Sequence, residues 1–384
     1  MDVKTKLDGA QRACTHRQTL ERMKPWLKAA GITRLAEITG LDRTGIPVAQ
    51  SIRPDSKSVC VDSGKGFTTE AALCSAMMES FERHVAESFP INSFFDKGRN
   101  LKDTDTRVQM VKGGFYHPDI PIEWTDMFGL RSKQRKIVPA VSVRLEQSQP
   151  LFPIFKTSFG STTNGLSSGN TLNEAIAGGI YEVIERDQVS TSFTKNIHAH
   201  RVDLDTIKDE IVGSLVEKLR TNGIMPVLLD VTQDIDVPTY IGYTFDIEGG
   251  TGVHKGYSSH LSPHVAQARA LCEAVQSRVV YLSGSRDDIS HEKFTKSRTI
   301  DAASAIKTFY EFDTIDANKH EDCSADSFTA DIAVLLHKLH KAKMPEPLVK
   351  VFKHPYPCSV VRVTIPTAEG YYHKGGRIGE RGIA

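Results

Sequence analysis

Residues 167–187 read SSGNTLNEAIAGGIYEVIERD, and this stretch organises the rest of the chain. Thr171 and Glu174 have the Thr-x-x-Glu spacing of a helix-opening capping box. Leu172, Ile176, Ile180 and Val183 then recur at helical intervals, which predicts an amphipathic helix with one apolar stripe. Glu174, Glu182 and Glu185 project from the other side, within about 80° of one another at about 100° per residue. Gly178 shares that acidic face. A glycine inside a helix costs roughly 1 kcal/mol relative to alanine. It therefore calls for a reason, and a ligand packed close against the helix is one.

The second half of the stretch has a twin. Residues 75–83 read SAMMESFER and residues 178–186 read GGIYEVIER, so Glu-x-x-Glu-Arg occurs twice on predicted helices. In the first copy Met77, Phe81 and Val85 form the buried stripe. Ser75, Glu79 and Glu82 share the other side with the small residues Ala72 and Ala86. A third helix opens at Ser262-Pro263, with serine as cap and proline in the first turn, and stops at Gly284. Arg269, Glu273, Gln276 and Ser277 lie on one of its faces and Arg278 points elsewhere. The Arg269 to Glu273 spacing also suits a plain i,i+4 ion pair.

Between these helices the chain alternates strand and helix signals. A short helix is expected over residues 19–30, stopping at Gly31 or beginning near Pro25, after a polar, loosely held start. Strands are expected at 35–39, 46–52, 58–61, 138–145, 225–231, 240–247 and 360–365, and further helices at 207–219 and 330–341. Gly64-Lys65-Gly66 reads as a loop before the first acidic helix. It suits a phosphate held by backbone N–H groups and the lysine, or equally a plain turn, and it lacks P-loop spacing. Residues 94–125 carry few signals and read as a lid or surface excursion. Residues 157–170, rich in Ser, Thr, Gly and Asn, suit an anion or ordinary turns. The mixture predicts α/β or α+β, with mixed sheets. An N-terminal segment, 1–60, is expected to pack on a main domain, 61–384.

The composition excludes some classes. Forty-eight basic against 47 acidic residues give a formal charge of +1, so nothing in the global charge favours nucleic acid or an anionic membrane. No apolar run approaches a transmembrane helix, and MDVKTKLDGAQR lacks the apolar core of a signal peptide. Six scattered cysteines without a C-x-x-C pair read as reduced thiols of a cytoplasmic protein. His198-Ala-His200 has no third ligand nearby and reads as surface. Tyr371, Tyr372 and His373 carry no spacing argument beyond packing.

The acidic faces pose a charge problem. Glu79, Glu82, Glu174, Glu182, Glu185 and Glu273 together carry −6, while Arg83, Arg186 and Arg278 return at most +3. Like charges drawn together raise carboxylate pKa values or drive their helices apart. Hard oxygen donors without His or Cys suit Mg²⁺, which uses one or two carboxylates plus substrate phosphates. ATP adds about −4, and about two or three Mg²⁺ then bring the sum near neutrality. The pattern therefore reads as a nucleotide–magnesium site built from helix faces. The same spacing also describes solvated faces with local ion pairs, and Glu174 doubles as a capping residue.

Taken in order, these residues resemble a known family. Ser75-x-x-x-Glu79-x-x-Glu82-Arg83, Ser167-x-x-Asn170-x-x-x-Glu174 and Glu182-x-x-Glu185-Arg186 look like the ATP-binding motifs of YcaO enzymes. Gly64-Lys65-Gly66, Glu273-x-x-Gln276-x-Arg278 and Ser285-Arg-Asp-Asp288 fit the same family, and the resemblance covers about residues 45–384. It implies a YcaO-type fold and ATP-dependent activation of a peptide backbone amide. The amide oxygen takes the γ-phosphoryl group while a nucleophile adds to the carbonyl carbon. Loss of phosphate then leaves an azoline ring, from a Cys, Ser or Thr side chain, or a thioamide, from external sulfide.

The resemblance also implies roles. Glu79, Glu82, Glu174, Glu182, Glu185 and Glu273 hold metal or nucleotide. Lys65, Ser75, Ser167, Asn170, Arg83, Arg186, Gln276 and Arg278 hold phosphate, ribose or neighbouring carboxylates. Glu182, Glu185 and Arg186 lie closest to the chemistry. Arg17 is the nearest match to the family's N-terminal basic residue. The chain ends Gly379-Glu-Arg-Gly-Ile-Ala384 rather than in the Pro-x-Pro-x-Pro tail of many azoline-forming members. It looks more like members that make thioamides with a TfuA partner. A peptide or protein substrate, a TfuA-like sulfur-delivery protein and a homodimer are the expected associations. Azoline formation is the alternative, and a non-catalytic nucleotide-binding partner protein is the alternative of another class.

Overall fold

The computed structural model describes residues 2–108, 116–145, 159–194, 199–246, 252–286, 302–370 and 381. The chain groups into two compact units, one of Val3–Ser80 with His198–Ala325, the other of Met1–Asp2, Phe81–Ile197 and Asp326–Ala384.

In the first of these, a hairpin of β1 (Thr5–Leu7) and β2 (Ala10–Arg12) leads into α1 (His16–Met23). Thr15 and Gln18 form a reciprocal capping box, so the helix starts earlier than residue 19. It gives way at Met23 to a 3₁₀ turn with Pro25 in its first turn, because proline has no N–H to continue the ladder. Strands β3 (Arg34–Glu37), β4 (Val48–Ile52) and β5 (Val61–Lys65) make a three-stranded antiparallel sheet. The first part of helix α2 (Thr69–Ser88) follows, and its Ala72 and Ala76 pack with Ala49 of β4.

The same unit holds a five-stranded sheet, ordered β13-β12-β11-β10-β14. Its strands are β10 (His200–Asp203), β11 (Ile224–Asp230), β12 (Thr239–Asp246), β13 (Val253–Ser259) and β14 (Thr314–Asp316). Only the β10–β14 pairing is parallel. Helix α5 (Pro263–Ser283) lies on β12 and β13, and α4 (Glu210–Thr221) lies on β11. Leu215, Leu219, Leu228, Tyr240, Leu271, Val275 and Val279 form the core between them. Helix α6 (Ala302–Tyr310) precedes β14.

The other unit is built on an antiparallel sheet ordered β6-β7-β15-β16-β9, with β8 paired to β7. The strands are β6 (Ser93–Lys97), β7 (Pro121–Gly129), β8 (Arg135–Pro139), β9 (Leu166–Gly169), β15 (Leu348–Val351) and β16 (Ser359–Thr364). Helix α3 (Leu172–Thr194) packs on β16 and β9, with α7 (Phe328–Lys341) beside it. Trp124 of β7 is fully buried and donates its indole N–H to Asp96 O.

Several expectations change. The two ends of the 94–125 stretch are not an excursion, since they supply β6 and the start of β7, and residues 109–115 lie outside the described residues. β6 is an edge strand with Phe94 and Phe95 exposed, so it lacks the alternation that marks a half-buried strand. The strand expected at 138–145 lies at 135–139 and is ended by a 3₁₀ turn over Ala140–Ser142. The start of the chain is tied down: Thr329 N–H and Oγ1–H and the Asn173 amide donate to the Asp2 carboxylate at 2.7–3.0 Å. Burial pushes this carboxyl up, but those hydrogen bonds outweigh it and hold it below its usual range. All six cysteines are free thiols, with Cys74 and Cys272 buried.

Candidate functional site

The opening of α3 follows the sequence reading closely. Glu174 N–H donates to Thr171 Oγ1 at 3.2 Å, and the Glu174 carboxylate accepts Asn170 N–H at 2.9 Å. Glu174 is thereby buried at 4% exposure, folded back on its own helix start. Ile176, Ile180 and Val183 are buried as expected, whereas Leu172 is exposed. A Cβ at Gly178 would sit 2.6 Å from Ser167 Oγ on β9, so the glycine leaves room for that hydroxyl on the acidic face. One turn further on, Arg186 lies 3.8 Å from Glu182 and 3.7 Å from Glu185, with all three side chains partly exposed.

On α2, Met77, Phe81, Val85, Ala72 and Ala86 are buried, while Ser75, Glu79, Glu82 and Arg83 are half-buried. The Gly64-Lys65-Gly66 motif is loop only at Gly66: Gly64 and Lys65 end strand β5, paired with Ala49 and Val48. A Cβ at Gly64 would meet the backbone of Ala76 and Ala72 at 2.1 and 2.3 Å, so the glycine permits close strand–helix packing. Lys65 Nζ reaches Glu273 of α5 at 2.6 Å. Gln276 is half-buried on the same helix. Arg278 is almost fully buried and clamps two carboxylates, Asp42 at 2.8 Å and Asp246 at 2.9 Å. Of the partners that the family likeness implies for this residue, phosphate, ribose or neighbouring carboxylates, the structure shows carboxylates. Asp287 and Asp288 of the Ser285 motif, His198, and Tyr371 to His373 lie outside the described residues.

Arg17 is 78% exposed and pairs with Glu21 along α1. A different set of basic charges acts on His260: those of Arg269, Lys4 and Arg12. Burial first, then those cations, push the His260 imidazole down to about 3, with Asp322 opposing, so the ring is neutral. Its Nδ1 accepts Ser262 N–H at 2.9 Å. Of this group only Arg269 lies on a face that periodicity singles out.

Two further residues have no motif to mark them. Asp187, directly after Glu185-Arg186, is fully buried and holds Arg381 through three hydrogen bonds of 2.8–3.0 Å, while accepting Glu369 N–H at 2.8 Å. Burial pushes its carboxyl up, against the pull of Arg381. Arg362, on β16, is fully buried. Its Nε and Nη1 donate to Val143 O and Asn164 O. Burial pulls the guanidinium down to about 10, and the charges of Glu182 and Glu82 oppose that.

Among the described residues no three His, Cys, Asp or Glu converge as a ready metal cage. The carboxylates stand instead as helical pairs, Glu79 with Glu82 on α2 and Glu182 with Glu185 on α3. Such a donor set fits Mg²⁺, which keeps water and takes phosphate oxygens to complete its shell. No helix among the described residues is long and apolar enough to cross a membrane.

Acid-bearing helices over mixed sheets, without a P-loop, define a class of nucleotide-using α/β proteins. The family model described as the YcaO cyclodehydratase, ATP- and Mg²⁺-binding, matches residues 63–369, and the chain belongs to the YcaO family. It is accordingly an ATP-dependent, cyclodehydratase-like enzyme whose cofactors are ATP and Mg²⁺. An uncharacterized protein of Methanothermobacter thermautotrophicus is 32% identical over 95% of this chain and 96% of its own length. An uncharacterized protein in the tfuA 3′ region of Rhizobium leguminosarum bv. trifolii is 30% identical over 94% of this chain and 89% of its own length. The fold is that of YcaO from Methanopyrus kandleri, solved bound with AMPPCP and Mg²⁺, at a TM-score of 0.78 and 22% identity over 99% of both chains.

Proposed function

We propose that this chain phosphorylates a peptide backbone amide on oxygen with ATP and directs external sulfide to the activated carbon, giving a thioamide, ADP and phosphate. The observation that supports this branch is the near full-length similarity to a protein encoded beside tfuA. A TfuA-type protein is the proposed sulfur-delivery partner. The chain itself is proposed to act as a homodimer in the cytoplasm on a peptide or protein substrate.

An amide oxygen is a poor leaving group until it is phosphorylated, and that is the step ATP makes possible. Bound Mg²⁺ supplies electrostatic stabilisation of the transferring phosphoryl group. We assign its ligands to Glu79, Glu82, Glu174, Glu182, Glu185 and Glu273. Ser75, Arg83, Ser167, Asn170, Arg186, Gln276 and Lys65 are assigned to the nucleotide. Lys65 and Arg186 already stand beside carboxylates, which orients them before the nucleotide arrives. Azoline formation is the second reading, favoured by the cyclodehydratase description of the family model.

Intact mass spectrometry of a candidate peptide or protein, incubated with this chain, a TfuA-like partner, Mg²⁺, ATP and sulfide, decides between them. A gain of about 16 Da marks oxygen replaced by sulfur, and a loss of about 18 Da marks dehydration to an azoline, which overturns the thioamide branch. Glu182→Gln is expected to abolish turnover with the fold retained, since it removes only charge. Turnover near that of the wild type refutes the assignment of Glu182.

A further inference from the structure

Arg362 is buried in the middle of β16, within the apolar run Ser359–Thr364. An arginine cannot shed its charge in a protein, and an uncompensated buried charge is costly. Two of its nitrogens are fixed by main-chain carbonyls, Nε by Val143 at 3.2 Å and Nη1 by Asn164 at 2.9 Å. These carbonyls orient the fork without neutralising it. The third nitrogen, Nη2, is buried with no hydrogen-bond partner among the described residues. The carboxylates whose charge acts on the guanidinium are Glu182 of α3 and Glu82 of α2. The fold makes this possible because α3 packs on β16, and Arg362 stands in register with Leu166, next to Ser167.

We infer that Arg362 is a positioning residue of the candidate site, a built-in counter-charge that holds Glu82 and Glu182 in place before any cation binds. The inference rests on reading those two glutamates as site carboxylates. It explains how acids from two helices are tolerated in one unit without metal. It also explains why a charged residue interrupts an otherwise apolar strand.

The test is a stability cycle on the full chain without nucleotide or Mg²⁺. Arg362→Met is expected to lower the melting temperature strongly in the wild-type background and much less in Glu82→Gln/Glu182→Gln. Loss of the two carbonyl hydrogen bonds is common to both backgrounds, so only the counter-charge produces a difference. Equal losses in both overturn the inference. If Arg362→Met does not fold, the glutamine variants decide with Arg362 intact. Stepwise neutralisation of Glu82 and Glu182 should lower the melting temperature, because it strands a buried guanidinium. A rise means the two acids merely repelled one another, and the inference fails. Because the readout needs no nucleotide, its failure counts against Arg362 alone. Absence of a thermal shift with Mg²⁺ and ATP in the wild type would be the separate failure of the ligand reading.

Discussion

Gly64→Ala separates a packing role from a phosphate-binding role for the Gly-Lys-Gly motif. The added methyl would lie 2.1 Å from Ala76 N and 2.3 Å from Ala72 O, both backbone atoms of α2. Neither can rotate away, so β5 and α2 must part by about 1 Å in an interior packed as densely as an organic crystal. Overpacking of this kind costs about 1–3 kcal/mol, and a clash with rigid backbone belongs at the upper end. For a unit of roughly two hundred residues, about 2–4 °C per kcal/mol translates this into a drop of roughly 6–12 °C in melting temperature. Ser75 and Glu79 ride on the displaced turns, and a shift of about 1 Å is worth roughly 100-fold in rate. Thermal denaturation without nucleotide is the assay, with turnover measured alongside. An unchanged melting temperature combined with weakened ATP binding would refute the packing argument and restore the phosphate-loop reading.

Three further predictions address neighbouring features. Gly178→Ala meets only the rotatable hydroxyl of Ser167, so it should leave the fold as stable as wild type or up to about 1 kcal/mol more stable. ATP affinity, measured calorimetrically, should fall as that hydroxyl is displaced, and unchanged affinity would remove Ser167 from the nucleotide set. Arg278→Met leaves the Asp42 and Asp246 carboxylates buried without their shared guanidinium and should cost about 3–5 kcal/mol by denaturant titration. Loss of ATP binding at unchanged stability would contradict the clamp. His260 titrates near 3 in the fold against 6.5 in the open chain, so the unfolded state binds more protons between those values. Its contribution to stability is complete above pH 6.5 and is lost as pH falls toward about 3, at up to about 1.4 kcal/mol per pH unit. His260→Gln should flatten that acid limb in pH-dependent melting curves, and an identical slope would show that other groups set it.

Much of the site was legible without coordinates because helices write their faces into sequence. The capped start of α3, the acidic pairs on α2 and α3 and the proline-led start of α5 follow from local spacing and local hydrogen bonds, and all are present. The strands at 48–52, 224–230, 239–246 and 359–364 lie within two residues of their expected places, whereas β5 and β6 do not. β6 is an exposed edge and β5 carries Gly64 near its end, so neither shows the alternation of a half-buried strand.

The linear chain by itself determined the helical carboxylates, their order and the family to which they belong, since those depend on residue type and a 3.6-residue period. Tertiary structure alone decided what each lone charge does. Arg278 became a clamp because Asp42 and Asp246, distant in sequence, converge on it. Arg362 became a buried cation beneath an acidic helix because β16 packs against α3. Periodicity describes one element at a time, whereas the partner of a buried charge is chosen by which elements the fold brings together.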